Sequence, residues 1–108
     1  MSKAPLVYVG VLLIDLETPW VSSLKEKRSL VRPITEKLKV RYPVSVARLA
    51  GSEALDWERI GVAAISSDRV WLERLLTKVR DVVAAGEARV ADDRLEIEVW
   101  DGGLGATG

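Results

Sequence analysis

Two hydrophobic periods divide the chain. From Leu6 to Glu17 the residues are almost all Val, Leu and Ile with no helix cap, which predicts a long strand. Thr18-Pro19-Trp20 breaks it, because Pro19 forces Thr18 out of helical geometry. From Leu24 to about Arg41 the apolar positions Leu30, Val31, Ile34, Leu38 and Tyr42 recur on one face at helical spacing. Pro33 is expected to kink or divide this helix and Pro43 to end it. Val44–Leu49 predicts a short strand, Ala50–Trp57 a connection and Glu58–Ser66 a third strand. Ser67 or Asp68 caps a second helix over Arg69–Ala85, whose buried stripe is Leu72, Leu75, Leu76, Val79, Val82 and Val83. Gly86 suits a left-handed residue just past its end. Arg94–Trp100 alternates strictly and predicts the last strand, and residues 102–108 read as a flexible glycine-rich tail.

The order β-α-β-β-α-β, with right-handed crossovers, defines an α+β ferredoxin-like sandwich. It has a four-stranded antiparallel sheet with both helices on one face. Residues 1–101 form that single domain. The first strand is apolar on both sides: Leu12, Ile14 and Leu16 share one face, and Val7, Val9, Val11 and Leu13 share the other. Two helices on one side cannot cover both, and an uncovered apolar face on a small domain marks an interface. Val7, Val9, Val11 and Leu13 are therefore expected to form a homodimer contact.

Composition narrows the chemistry. The 108 residues include no Cys and no His, which removes disulfides, thiol nucleophiles and the commonest general base and metal ligands. No cofactor, metal site or catalytic residue is expected, and the chain reads as a non-enzyme. The near absence of thermolabile side chains, with abundant Arg and Glu, matches a thermophile bias. The longest apolar run is too short to span a bilayer and no signal peptide is recognised, so a cytoplasmic protein without a membrane partner is expected. Net charge is zero, but residues 1–50 carry nine basic and four acidic side chains, and residues 51–108 carry seven and twelve. Such asymmetry marks either a polyanion-binding face or halves that attract one another.

The stretch Ser22-Ser23-Leu24-Lys25-Glu26-Lys27-Arg28 concentrates the candidate chemistry. Ser23 and Glu26 have capping-box spacing. Lys25, Lys27 and Arg28 crowd a helix start whose dipole already presents positive charge, at a cost of about 0.3–1 kcal/mol each unless an anion is near. Asp15 and Glu17 are the simplest internal anions. Alternatively, Lys25, Lys27, Arg28, Arg32 and Lys39 meet phosphates, with Lys27 nearer the apolar side. If both helices start at one sheet edge, Arg69 joins them in a positive corner. Asp92-Asp93 reads as a turn and Asp68 as a cap. Trp20, Trp57, Trp71 and Trp100 read as packing residues, and the third strand lacks the aromatic pattern of an RNA-recognition sheet. Gly103-Leu104-Gly105-Ala106-Thr107-Gly108 spells G-x-G-x-x-G, but no helix follows to receive a pyrophosphate.

From Leu6 to Asp101 the sequence resembles the YlxP-like proteins, a small bacterial family of unknown function. The resemblance is carried by Val9-Gly10-Val11, Ser23-Leu24-Lys25-Glu26-Lys27-Arg28, Val44-Ser45-Val46-Ala47, Ile60-Gly61-Val62-Ala63 and Ile65-Ser66-Ser67-Asp68. It implies a ferredoxin-like fold and no catalytic activity. It also implies a gene neighbourhood shared with translation factors, hence a role near RNA or the small ribosomal subunit. The chain departs from the family pattern at Arg48, where an acidic residue is usual, and at Asp56-Trp57-Glu58-Arg59, where the family reads L-W-Q-R. The expected function is an accessory module associated with structured RNA or the ribosome through the basic helix. The alternative is a protein–protein adaptor or homodimeric structural protein using the open sheet face.

Overall fold

A computed structural model describes residues 6–102. The elements are β1 (Leu6–Glu17), α1 (Leu24–Arg41), β2 (Ser45–Ala50), β3 (Trp57–Ser66), α2 (Arg69–Ala84) and β4 (Arg89–Asp101). The strands form one antiparallel sheet in the order β2-β3-β1-β4, the ferredoxin-like arrangement expected from the pattern. The tail motif at 103–108 lies outside the described residues.

Each helix is started by a side chain that satisfies a free amide. The Ser23 hydroxyl accepts from the Glu26 amide at 3.0 Å, and the Asp68 carboxylate accepts from the Trp71 amide at 3.0 Å. The capping box is only half made, because Glu26 instead accepts a 2.9 Å hydrogen bond from the Ser22 hydroxyl. α1 runs as one helix through Pro33. Its buried side chains lie on both sides of that residue, at Val31 and at Leu38, so tertiary packing holds the helix across the missing hydrogen bond.

The core lies between the helices and one sheet face. Leu12, Ile14 and Leu16 of β1 and Ile60 and Val62 of β3 meet Val31 and Leu38 of α1 and Leu72, Leu76, Val79 and Val83 of α2. Full burial of each such side chain contributes on the order of 1.5–3 kcal/mol. Gly10 lets α2 approach β1: a methyl group there would stand 2.4 Å from Leu76 Cδ1.

Four local expectations need correction. β4 begins at Arg89 rather than Arg94, so Asp92 and Asp93 sit in a strand rather than a turn. They lie beside a bulge at which the β1–β4 register shifts between Asp15 and Leu16. Gly86 is not left-handed; its amide donates to the Val83 carbonyl at 3.0 Å, and this tightened last turn ends α2 without a positive φ. Most consequential is the placement of the helix starts. β1 and β3 are antiparallel, with Glu17 opposite Trp57 and Tyr8 opposite Ser66. Each helix starts at the far end of its own strand, so the two N-termini lie about 30 Å apart, nine residues of strand at ~3.3 Å each. They do not share a corner.

Gly10→Val is expected to overpack the β1–α2 seam and destabilise the domain by about 1–3 kcal/mol, read as a lowered urea midpoint with an unchanged slope.

Candidate functional site

Lys27 is fully buried at the start of α1. It falls four residues before Val31 and eleven before Leu38, so helical geometry turns it inward with them. Its Nζ donates to the carbonyls of Gly51 at 2.5 Å, Ala54 at 2.5 Å and Trp57 at 2.6 Å. It also lies 3.2 Å from a carboxylate oxygen of Glu58. All three ammonium protons thus find acceptors.

Glu58 is equally buried, on the same strand face as Ile60 and Val62. Arg48 grips it with two nitrogens: NH2 lies 2.7 Å from Oε1, and Nε bonds Oε2. Burial pushes the Glu58 carboxyl up, but the hydrogen bonds from Arg48 and Lys27 outweigh it and hold the group below the ordinary carboxylate range. Arg48 and Glu58 are thus each other's partners across the β2–β3 pair.

The three carbonyls belong to the β2–β3 connection. Gly51 has φ +77° and packs under the Trp57 ring, so the loop turns sharply enough to aim its carbonyl inward. The buried Thr18 binds the same loop from the other side. Its amide donates to Asp56 at 2.9 Å and its hydroxyl to Leu55 at 2.7 Å. This network is saturated and offers no group to an outside reactant. Among the described residues no buried side-chain polar atom lacks a partner, and no cluster of three His, Cys, Asp or Glu side chains suits a metal.

The remaining candidates separate by position. Lys27 is withdrawn from the surface, because the anion its helix start requires is Glu58 with three carbonyl dipoles. Asp15 and Glu17 do not serve that role. Asp15 points from the opposite sheet face and receives a bidentate pair from Arg59 at 2.7 and 3.0 Å, which holds its carboxyl below the ordinary range. Glu17 lies 3.6 Å from Arg89. Arg69 stands at the far end of the sheet and pairs with Glu73 at 3.2 Å. Lys39 is exposed and 3.5 Å from Glu36. Lys25, Arg28 and Arg32 are exposed, line one shallow surface with Ser29 and Pro33, and have no carboxylate partner among the described residues. At 1.5 Å per residue they span about 10 Å of the α1 axis.

Val7, Val9, Val11 and Leu13 lie on the sheet face opposite the helices, together with Gly61, Ala63 and Ile65 of β3 and Ala47 and Leu49 of β2. Val11 and Ile65 are exposed. The small residues Ala47, Gly61 and Ala63 leave a shallow apolar trough of about 220 Å³ between Val11, Leu13 and Leu49. The four tryptophans are not core residues: each is at least 39% exposed.

Sequence reasoning missed the Arg48–Glu58 pair, although a signal was present. Glu58 has the same strand parity as Ile60 and Val62, which makes it an acid on a buried face.

These features define a small ferredoxin-like domain with a sealed ionic core, one basic helix face and one uncovered sheet face. The chain belongs to the family described as protein of unknown function (DUF503), whose model matches residues 9–95, in agreement with the YlxP-like resemblance. The uncharacterized protein YlxP of Bacillus subtilis (strain 168) is 33% identical over 57 residues, covering 53% of this chain and 62% of that protein. The match therefore spans less than two thirds of that relative. A de novo designed protein, Foldit4, superimposes with a TM-score of 0.42 at 17% identity, covering 88% of this chain and 96% of that one.

Lys27→Met leaves Glu58 and three carbonyls facing a methyl group. It is expected to cost about 3–5 kcal/mol in urea unfolding, the range for breaking one side of a buried ion pair. Because the folded Glu58 pKa lies below its unfolded value, the contribution of Glu58 to stability is complete above the unfolded value near pH 4.5. It is lost as pH falls through the folded value. Glu58→Gln should therefore be less stable at neutral pH and show a shallower loss of stability on acidification, measured by unfolding across pH 2–7.

Proposed function

We propose that this protein is a non-enzymatic accessory domain that binds structured RNA, in a ribosomal setting, through the exposed face of α1. The observation that supports this reading is the row Lys25, Arg28 and Arg32. Three cations stand in solvent along the first half of α1, with no acidic partner among the described residues. Folding gains nothing from such an arrangement, and the dipole opposes Lys25 and Arg28 at the helix start. A polyanion removes that penalty and releases counterions when it binds. Lys39 extends the row by two turns, since its exposed contact with Glu36 is worth little. Lys27 takes no part except to hold α1 in place.

A second reading is favoured by the uncovered face of the sheet. The apolar trough beside Val11, Leu13 and Leu49 suits a homodimer or an adaptor contact, with Val7 and Val9 continuing the same surface.

RNA binding is expected to weaken steeply with salt, and Lys25→Glu with Arg28→Glu and Arg32→Glu should reduce the log–log salt slope by roughly one per lost phosphate contact. Affinity should fall across all sequences tested, with the melting temperature unchanged or raised. An unaltered slope removes the reading. For the second reading, light scattering of the wild type should give a dimer mass that Val11→Glu converts to monomer.

A further inference from the structure

Trp20 presents its indole to solvent from a rigid support. Pro19 and Trp20 form the corners of a turn closed by the Val21 amide donating to the Thr18 carbonyl at 3.1 Å. Both flanks are anchored: Thr18 is fully buried and tied twice to the β2–β3 loop, and Val21 is 7% exposed. Between them Trp20 is 53% exposed. Its indole nitrogen has no hydrogen-bond partner among the described residues. α1 starts four residues later, so Trp20 and the start of the row, Lys25 and Arg28, stand at one end of the sheet, the end marked by the Glu17–Trp57 pairing, and Arg32 lies further along the helix. Trp71 and Trp100 lie at the other end, with Trp100 opposite Val7.

An aromatic ring on a pre-ordered turn that leads into a helix start carrying free cations provides what an unpaired nucleotide requires. The cations meet the backbone phosphates, and the ring stacks on a base that is not already stacked in a duplex. A fully paired helix would use the cations and leave the indole idle. We infer that the RNA bound by α1 carries an unpaired nucleotide at this end, in a loop, bulge or strand terminus, and that its base stacks on Trp20. This rests on the RNA reading above and names the part of the RNA that is recognised. The order of the turn matters because the ring is placed before binding, so little freedom is lost when a base arrives.

The test uses the full chain and two probes, a hairpin RNA with an unpaired uridine-rich loop and a blunt duplex of the same stem. The hairpin should quench tryptophan emission and the duplex should not. Trp20→Phe, which keeps a ring, should retain hairpin affinity and lose most of the quench. Trp20→Ala should weaken hairpin binding roughly 10-fold and leave the duplex unchanged. A thermal melt checks that each variant is folded, which the exposed position of the ring favours. Equal hairpin affinity in wild type and Trp20→Ala, with the salt dependence of the α1 row intact, overturns the stacking inference and leaves the RNA reading standing. Absence of salt-sensitive binding to both probes overturns the two together.

Discussion

One buried ammonium organises this fold. Taking a lysine out of water is costly, and it is repaid only where every proton meets an acceptor and an opposite charge is close. At Lys27 those conditions are met by three carbonyls and Glu58, and they are met by elements distant in sequence: the first turn of α1, the β2–β3 loop and the start of β3. Arg48 of β2 closes the network from the fourth side. The loop can then adopt one shape, since displacing any carbonyl leaves the ammonium unsatisfied. Thr18, bound to the same loop, transfers that order to the turn that carries Trp20.

The network also decides what remains at the surface. The basic first half and acidic second half are joined by ion pairs of both senses, Lys27 and Arg48 to Glu58 in one direction and Asp15 to Arg59 and Glu17 to Arg89 in the other. Because the two senses offset one another, these pairs leave the positive excess of the first half in place. That excess is concentrated on α1, where Lys25, Arg28 and Arg32 face water. The cationic surface is about two turns long and begins five residues after the exposed Trp20. The opposite side of the molecule is apolar at its centre and ionic at one end, where Asp15, Arg59, Asp92 and Arg94 line a shallow depression. The two faces are chemically distinct.

The hydrophobic pattern by itself determined the element order, the ferredoxin-like topology, the caps at Ser23 and Asp68 and the two faces of β1. Each of these follows from side-chain periodicity and from local rules that operate within a few residues. Element ends were less legible: β4 starts five residues early because pairing with β1, rather than its own alternation, sustains it through Arg89–Asp93. Only the tertiary structure decided which cations are free. Lys25, Lys27 and Arg28 are near neighbours in sequence, yet one is sealed beneath a loop twenty-four to thirty residues away and the others are not. Arg69 and the α1 row are separated because β1 and β3 run in opposite directions. The physical reason is that a charge acquires its role from partners brought near by chain folding, and a periodic pattern records which face a residue takes without recording what waits there.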